Sequence, residues 1–442
     1  LLAAFFKTGK EKALFTYYWV PFLIFLGVWI VTSVLFGKYN LLKFRRIKIH
    51  YAALLQSNGL ILLSLTFFIY YAGLSYSRFL LSTTVLIATF LEGCLSALYI
   101  NFGNAKEAAK HYANFESRNR KTTFAEADIE IDEQTLKATK KVLAAEIGDE
   151  ATDFISNNAK LGAESTKILA TTTKFNILTT PSQSNVNQLI NIKPLNDVGR
   201  INKFIEAVNS ILPLGGFYIG QAELYLTTKQ HIFKHYPVGI NNVIYLMFFV
   251  IHRVLPKLYL TRNIYFFFTQ GKGRVLSKAE TLGRLYSCGF EVVDDSIIDG
   301  QLYFACRKVG EPVFDDSPTY GPFVRLNRYG KGGKMIGVYK MRTMHPYSEY
   351  LQDYVFKKYN LKKGGKFSND FRITTPGKIM RKFWIDEFPM FINVFRGEMK
   401  IVGVRPLSKH YFNLYTEELK TRRTKYKPGL VPPFYVDMPE TF

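Results

Sequence analysis

Asp386 and Glu387 stand side by side at the start of an apolar-periodic run. Ile385, Phe388, Ile392 and Phe395 recur at helical spacing, which predicts a short helix that buries this face. Pro389 fits only the first turn of such a helix, where its missing N–H is no loss. The two carboxylates then fall at a helix N-terminus, whose N–H groups and dipole favour the ionised form. An ionised carboxylate held there, with Arg381 and Arg405 nearby in sequence, can act as a nucleophile toward phosphorus. Acidic residues also favour helix N-termini for stability alone, so the pair by itself leaves a plain helix start as the alternative.

Chemistry at a diphosphate sets further requirements. An anionic nucleophile approaches an anionic centre, so charge must be neutralised first. Arginines offer bidentate donors for phosphoryl oxygens, and Mg2+ needs only one or two protein carboxylates. A basic, glycine-rich turn such as Arg328-Tyr-Gly330-Lys331-Gly-Gly-Lys334 can bring backbone N–H groups and ammonium ions onto a diphosphate.

The order of the motifs weighs against the plain helix start. Asp370-Phe-Arg372-Ile-Thr374, Gly377, Arg381, Asp386-Glu387-Phe-Pro389, Asn393, Arg396-Gly397-Glu398 and Gly403-Val-Arg405-Pro406 follow without gaps. Gly321-Pro322, the glycine-rich turn and Tyr339-Lys340-Met-Arg342-Thr343-Met344 precede them. From Tyr320 to about Gly429 the series resembles the catalytic core of the bacterial sugar transferase family. These are monotopic phosphoglycosyl transferases, which move a sugar phosphate from a UDP-sugar onto polyprenyl (undecaprenyl) phosphate. The resemblance implies an α+β catalytic domain with Asp386 as nucleophile on the sugar-bearing β-phosphate, UMP as leaving group and a phosphosugar-aspartyl intermediate. It implies Glu387, beside Asp386, as a Mg2+ ligand or an aid to proton handling. Arg381 and Arg405 would bind phosphate, with Lys340 and Arg342 beside them. Asp370 and Arg372 would shape the pocket, or form a buried structural ion pair. The sequence departs from the family pattern at Val404, at Trp384-Ile385 and at Pro428-Gly429-Leu430-Val-Pro-Pro433, none of which touches the acid pair.

The remaining chain must hold this part at its substrates. Hydrophobic content of 48%, aromatic content of 16% and a net charge of +23 fit a membrane protein with anionic partners. Cys94, Cys288 and Cys306 have neither metal-ligand nor redox spacing. Leu1 and Pro-Glu-Thr-Phe442 read as the ends of a longer protein. Leu14–Phe36, Asn58–Leu74 and Arg78–Ile100 read as transmembrane helices, and Leu1–Phe6 as the tail of a fourth. The basic segments Lys38–Lys48 and Lys106–Lys121 place themselves, and with them the catalytic domain, on the cytoplasmic side of the inner membrane. Glu92 falls within the third span, as a functional group or as a hydrogen-bonded carboxyl holding the bundle together.

Four regions follow: a transmembrane bundle (1–102), a polar helical linker (103–184), a degenerate α/β Rossmann-like domain (185–310) and the catalytic domain (311–442). In the third, Val186–Ile192, Gly215–Ile219, Phe290–Val293 and Leu302–Cys306 read as strands, and Asp197–Leu212 and Leu276–Cys288 as helices. That order is similar to the second half of a class I methyltransferase-type Rossmann domain, without a glycine-rich nucleotide loop. Its insertion at about 239–268 carries VIYLMFFVI, a break at Pro256, and Arg253, Lys257 and Arg262. This apolar stretch is re-entrant, interfacial or a buried helix. The rival to an enzyme starting surface-glycan assembly is a non-catalytic basic membrane scaffold. Nucleic-acid binding would rest on charge alone. The expected partners are a UDP-sugar, undecaprenyl phosphate and membrane lipid, with Mg2+ as cofactor; the sequence leaves a homodimer open.

Overall fold

The computed structural model describes residues 11–40, 47–71, 78–118, 131–179, 186–314, 320–358 and 370–433. The expectations for Leu1–Phe6 and for both chain ends lie outside these residues. The chain divides into two compact units, Leu1–Lys106 and Glu107–Phe442.

The first unit is helical: α1 (Glu11–Leu35), α2 (Ile47–Tyr71) and the start of α3 (Arg78–Arg118). Ile49–Tyr71 and Leu81–Lys110 are long and apolar enough to cross a membrane, whereas the apolar part of α1 is Phe22–Leu35. Exposed Phe67, Phe90 and Leu95 mark outward faces, and Ile61, Leu65 and Val85 form the inner contact. Glu92 is hydrogen-bonded. Lys38, fully buried, sits 2.6 Å from Glu92 Oε2 and 2.7 Å from Asn58 Oδ1. Asn58 Nδ2 donates to Glu92 and Thr89, and Tyr39 donates to Glu92 Oε1. Polar groups withdrawn from water need such partners, so this knot ties α1, α2 and α3 together.

The second unit begins its sheet earlier than the sequence suggests. Helices α4 (Glu133–Ile147) and α5 (Asp149–Asn158) lead into β1 (Thr166–Leu169), which pairs in parallel with β2 (Gln188–Pro194). Leu143, Phe154, Ile155 and Leu161 pack on Ile190, Ile219, Tyr303 and Ala305. Residues 133–161 therefore cover one face of the α/β domain and Thr166–Leu169 is its edge strand, which corrects the expectation of a polar linker there. A few large apolar side chains on otherwise polar helices suffice to cover a sheet.

Next come α6 (Ile201–Ile211), β3 (Phe217–Glu223), α7 (Tyr225–His235), α8 (Ile240–Phe249), α9 (Tyr259–Thr269), α10 (Lys278–Ser287), β4 (Phe290–Ile298) and β5 (Gln301–Lys308). The sheet order is β1-β2-β3-β5-β4. β1 to β3 are parallel, and β5 lies antiparallel to both β3 and β4. Neighbours along a strand face opposite ways: Leu189, Tyr218 and Phe304 meet α6 and α10, while Ile190, Ile219 and Tyr303 meet α4 and α5. Each predicted strand and helix of 186–306 overlaps an observed one. Gly289 (φ +85°) stops α10.

The insertion forms α8 with a π-turn at Val250–Val254, and α9. Val243, Leu246, Met247, Val250 and Ile251 share an exposed apolar stripe on α8 and the π-turn, and Phe267 and Phe268 on α9 are also exposed. That stripe excludes a buried helix. Arg253 and Lys257, the basic residues that follow it, reach inward to Glu280.

The last part is built on a hairpin, β6 (Phe323–Tyr329) and β7 (Met335–Met341), joined by a turn with Gly332 and Gly333 at positive φ. Then come α11 (Gln352–Lys358), α12 (Thr375–Lys382), a 3-10 helix (Ile385–Met390) running into α13 (Phe391–Phe395), β8 (Lys400–Val402), α14 (Glu417–Thr424) and β9 (Gly429–Val431). Tyr350, Leu351, Tyr354 and Val355 join the core of the α/β domain.

Candidate active site

Trp384 enters the left-handed region (φ +57°), uncommon for a bulky residue, and its carbonyl accepts Glu387 N–H (3.1 Å). This opens the 3-10 helix with Asp386 and Glu387 in its first turn. Pro389 lies further inside that 3-10 helix, not in the first turn of an α-helix, because the α-helical hydrogen bonding starts only after it. The expected buried face is also turned round. Ile385, Phe388 (72% exposed) and Phe395 (87% exposed) point outward beside Phe383 and Trp384, and Ile392 is half-buried. Helical periodicity reports that one face is apolar and says nothing of what it meets.

Asn393 holds this segment against β7. Fully buried, it accepts Tyr339 N–H (3.1 Å) and donates to Gly337 carbonyl (2.8 Å) and Glu398 (2.5 Å). With Met390 and Met399 packed on Val338, the acid pair is set beside Lys340. Asn393 was missed as a site residue. Its signal is an amide inside the apolar run FINVF, which must find partners if buried.

Glu387 Oε1 takes both Lys340 Nζ (2.6 Å) and Arg405 (3.2 Å). Asp386 is buried. Burial lowers the Lys340 pKa, opposed by the Glu387 carboxylate. Arg381 follows the same pattern: burial lowers its pKa, and the charges of Asp386 and then Asp370 oppose this. Arg381 Nε donates to Thr343 Oγ1 (2.9 Å), a support that sequence reading overlooked. Lys340, Arg381 and Arg405 thus surround the acid pair.

Among the other candidates, Arg372 binds Asp370 through two 2.8 Å hydrogen bonds and Gln352 through a third, a buried ion pair whose charges also act on Arg381. Arg342 Nε donates to Gly321 carbonyl (2.9 Å). Lys331 and Lys334 are exposed on the hairpin turn.

Among the described residues there is no cluster of three or more acidic, histidine or cysteine ligands. The donor chemistry nevertheless fits Mg2+, which takes one or two carboxylates and completes its shell with water and phosphate oxygens. Asp386 and Glu387 supply that number.

Comparisons with known proteins point to the same segment. Residues 314–440 match the family described as bacterial sugar transferase. The uncharacterized sugar transferase EpsL of Bacillus subtilis is 35% identical over 123 residues, 28% of this chain and 50% of that protein. The galactosyl transferase CpsE of Streptococcus agalactiae is 38% identical over 106 residues, 24% and 23% of the two chains. A UDP-N-acetylgalactosamine-undecaprenyl-phosphate N-acetylgalactosaminephosphotransferase of Aeromonas hydrophila is 35% identical over 115 residues, 25% and 24%. The matched stretch spans half or less of each of these relatives.

Proposed function

Through residues 314–440 the chain belongs to the bacterial sugar transferase family, and on that premise we propose that it transfers a sugar phosphate from a UDP-sugar to undecaprenyl phosphate. The observation that carries this reading is the meeting of Lys340 and Arg405 on Glu387, directly beside Asp386.

A UDP-sugar brings a diphosphate whose charge Lys340, Arg381 and Arg405 would neutralise. An Asp386 carboxylate oxygen attacks the β-phosphorus. The bond from that phosphorus to the bridging oxygen breaks, and UMP leaves with the electron pair. The sugar phosphate is then held on Asp386 as an acyl phosphate. A phosphate oxygen of undecaprenyl phosphate attacks the same phosphorus, releases the Asp386 carboxylate and leaves undecaprenyl diphosphosugar. Asp386 and Glu387 would hold Mg2+, which supplies charge neutralisation at the phosphate oxygens. Arg405 can leave Glu387 for a phosphate oxygen at little cost, being 53% exposed.

The lipid acceptor requires the site to face a membrane. Phe383, Trp384, Phe388, Phe395 and Ile401 form an exposed apolar rim near the acid pair, a patch type that marks lipid or partner contact. Their exposure, with the stripe on α8, supports a catalytic face lying on a membrane, and the basic segments beside the apolar helices would make that face the cytoplasmic leaflet of the inner membrane. Such a reaction would open the lipid-linked assembly of a surface polysaccharide.

The test is UMP release by the membrane-embedded chain from a panel of UDP-sugars, with Mg2+ and undecaprenyl phosphate, beside Asp386→Asn. Acceptor-dependent UMP release that the substitution abolishes is the expected result. A panel that yields no UMP, or an Asp386→Asn protein as active as the parent, would overturn the proposal in favour of a binding scaffold.

A further inference from the structure

Glu280 of α10 is 1% exposed and meets three cations. Lys257 lies 2.8 Å and Arg253 3.5 Å from Oε2, and Arg284 lies 2.9 Å from Oε1. Burial alone would raise the Glu280 pKa; Lys257, Arg284 and Arg253 outweigh it and hold the carboxyl below its usual range. Three cations on one carboxylate leave positive charge to be satisfied elsewhere, and it is satisfied along two arms.

On the first arm, Arg253 donates to Val275 carbonyl (2.8 Å) and lies 3.0 Å from His345 Nδ1. Arginine has no acceptor, so Nδ1 presents its lone pair and the proton sits on Nε2. Burial, then the Arg253 charge, lowers the His345 pKa to about 4 and keeps the ring neutral. The backbone N–H of His345 donates to Arg372 carbonyl (2.8 Å). Two residues earlier, Thr343 carbonyl accepts Thr374 N–H, and Thr343 Oγ1 holds Arg381. On the second arm, Arg284 donates to Tyr320 hydroxyl (2.8 Å), and the next residue, Gly321, accepts from Arg342. Each arm ends at an arginine of the catalytic part.

We propose that Arg253 and His345 are positioning residues, whose hydrogen bond couples the apolar insertion to the stretch after β7 and so sets Arg381 against the acid pair. The inference rests on the transferase reading above. Arg253 follows directly on the exposed α8 stripe, so a shift of that helix moves the guanidinium that holds His345. Glu280 retains Lys257 and Arg284 if this one hydrogen bond is lost, so the cluster outlasts it. A phosphate-binding group displaced by about 1 Å, by contrast, can cost on the order of 100-fold in rate.

The experiment uses the full chain in lipid nanodiscs and the UDP-sugar found active in the panel, reading KM, kcat and Tm together. His345→Phe removes the acceptor, whereas His345→Asn keeps an acceptor oxygen where Nδ1 stood. His345→Phe should raise KM for the UDP-sugar roughly tenfold or more, while His345→Asn stays within about twofold of the parent. Arg253→Gln, which leaves Glu280 with two cations, should raise KM as His345→Phe does. Should His345→Phe fail to fold, Arg253→Gln decides alone. Unchanged KM in Arg253→Gln, with activity falling only as folded protein is lost, overturns the inference and leaves the transferase reading standing. So does a His345→Asn protein as impaired as His345→Phe. A parent chain that releases no UMP sinks the transferase reading, and this inference with it.

Discussion

Glu280 and Glu387 head two clusters of nearly the same composition, and water separates their roles. Each carboxylate takes one lysine at close range, 2.8 Å for Lys257 and 2.6 Å for Lys340, and each takes arginine besides. Glu280 is 1% exposed and Glu387 17%. Every arginine on Glu280 is buried, whereas Arg405 stands half in solvent. An enclosed cluster has no water to replace a lost partner, so its members must stay together. An open one can exchange a protein partner for a phosphate oxygen. The same ion-pair chemistry makes a joint in one place and, on the function proposed above, a phosphate receptor in the other.

Removing each carboxylate tests that contrast most severely. Glu280→Gln leaves the buried Arg253 and Arg284, with Lys257 beside them, without their counter-charge, and should cost about 3–5 kcal/mol of stability, read as a large fall in Tm with activity lost in parallel. Glu387→Gln should lower Tm far less, because Arg405 already stands half in solvent, while UMP release falls about 100-fold. The opposite pattern, an active Glu280→Gln protein or an unfolded Glu387→Gln one, would break the comparison.

Acid should attack the enclosed cluster next. His345 has a pKa of about 4 in the folded chain against 6.5 for the free side chain. Between those values the unfolded chain binds a proton that the folded one excludes. Stability from this group is therefore complete above pH 6.5 and drains away as the pH falls toward 4, by on the order of 1–3 kcal/mol. Thermal unfolding in nanodiscs at pH 7.5, 5.5 and 4.5 should show a steeper acid slope for the parent than for His345→Asn. Parallel slopes would show that the ring does not titrate in that window.

Of these two clusters, the open one was the more legible in sequence. Asp386, Glu387, Arg381, Arg405 and Lys340 lie in dense, ordered motifs within one stretch of chain, so residue types and spacing nominate them together. The enclosed cluster joins Lys257 to Glu280 and Arg253 to His345 across long chain separations, and no local pattern announces such pairs. The strands of 186–306 were readable from apolar runs bounded by glycine. The role of 133–161 was not, because its cover of the sheet depends on a few residues such as Leu143 and Phe154. The stripe of Ile385, Phe388 and Phe395 was legible in its period and misread in its direction, since the period is the same whether the apolar face meets a core or lies exposed.

The finest test concerns what Arg405 does once it leaves Glu387. Its guanidinium lies 3.2 Å from the oxygen that Lys340 already holds at 2.6 Å, so Arg405→Lys leaves Glu387 paired and a positive charge in place. What the substitution removes is the planar fork, which matches two phosphate oxygens where an ammonium meets one. kcat/KM for the UDP-sugar should fall about tenfold, or about 1.4 kcal/mol of transition-state binding. If the fork tightens only as charge moves onto the leaving phosphate, the loss appears in kcat; if it grips the bound substrate equally, it appears in KM. Tm should stay put, because a half-exposed pair contributes little to folding. An Arg405→Lys protein that loses stability and keeps its turnover would make Arg405 a strut like Arg284, and the open cluster would then be a second joint.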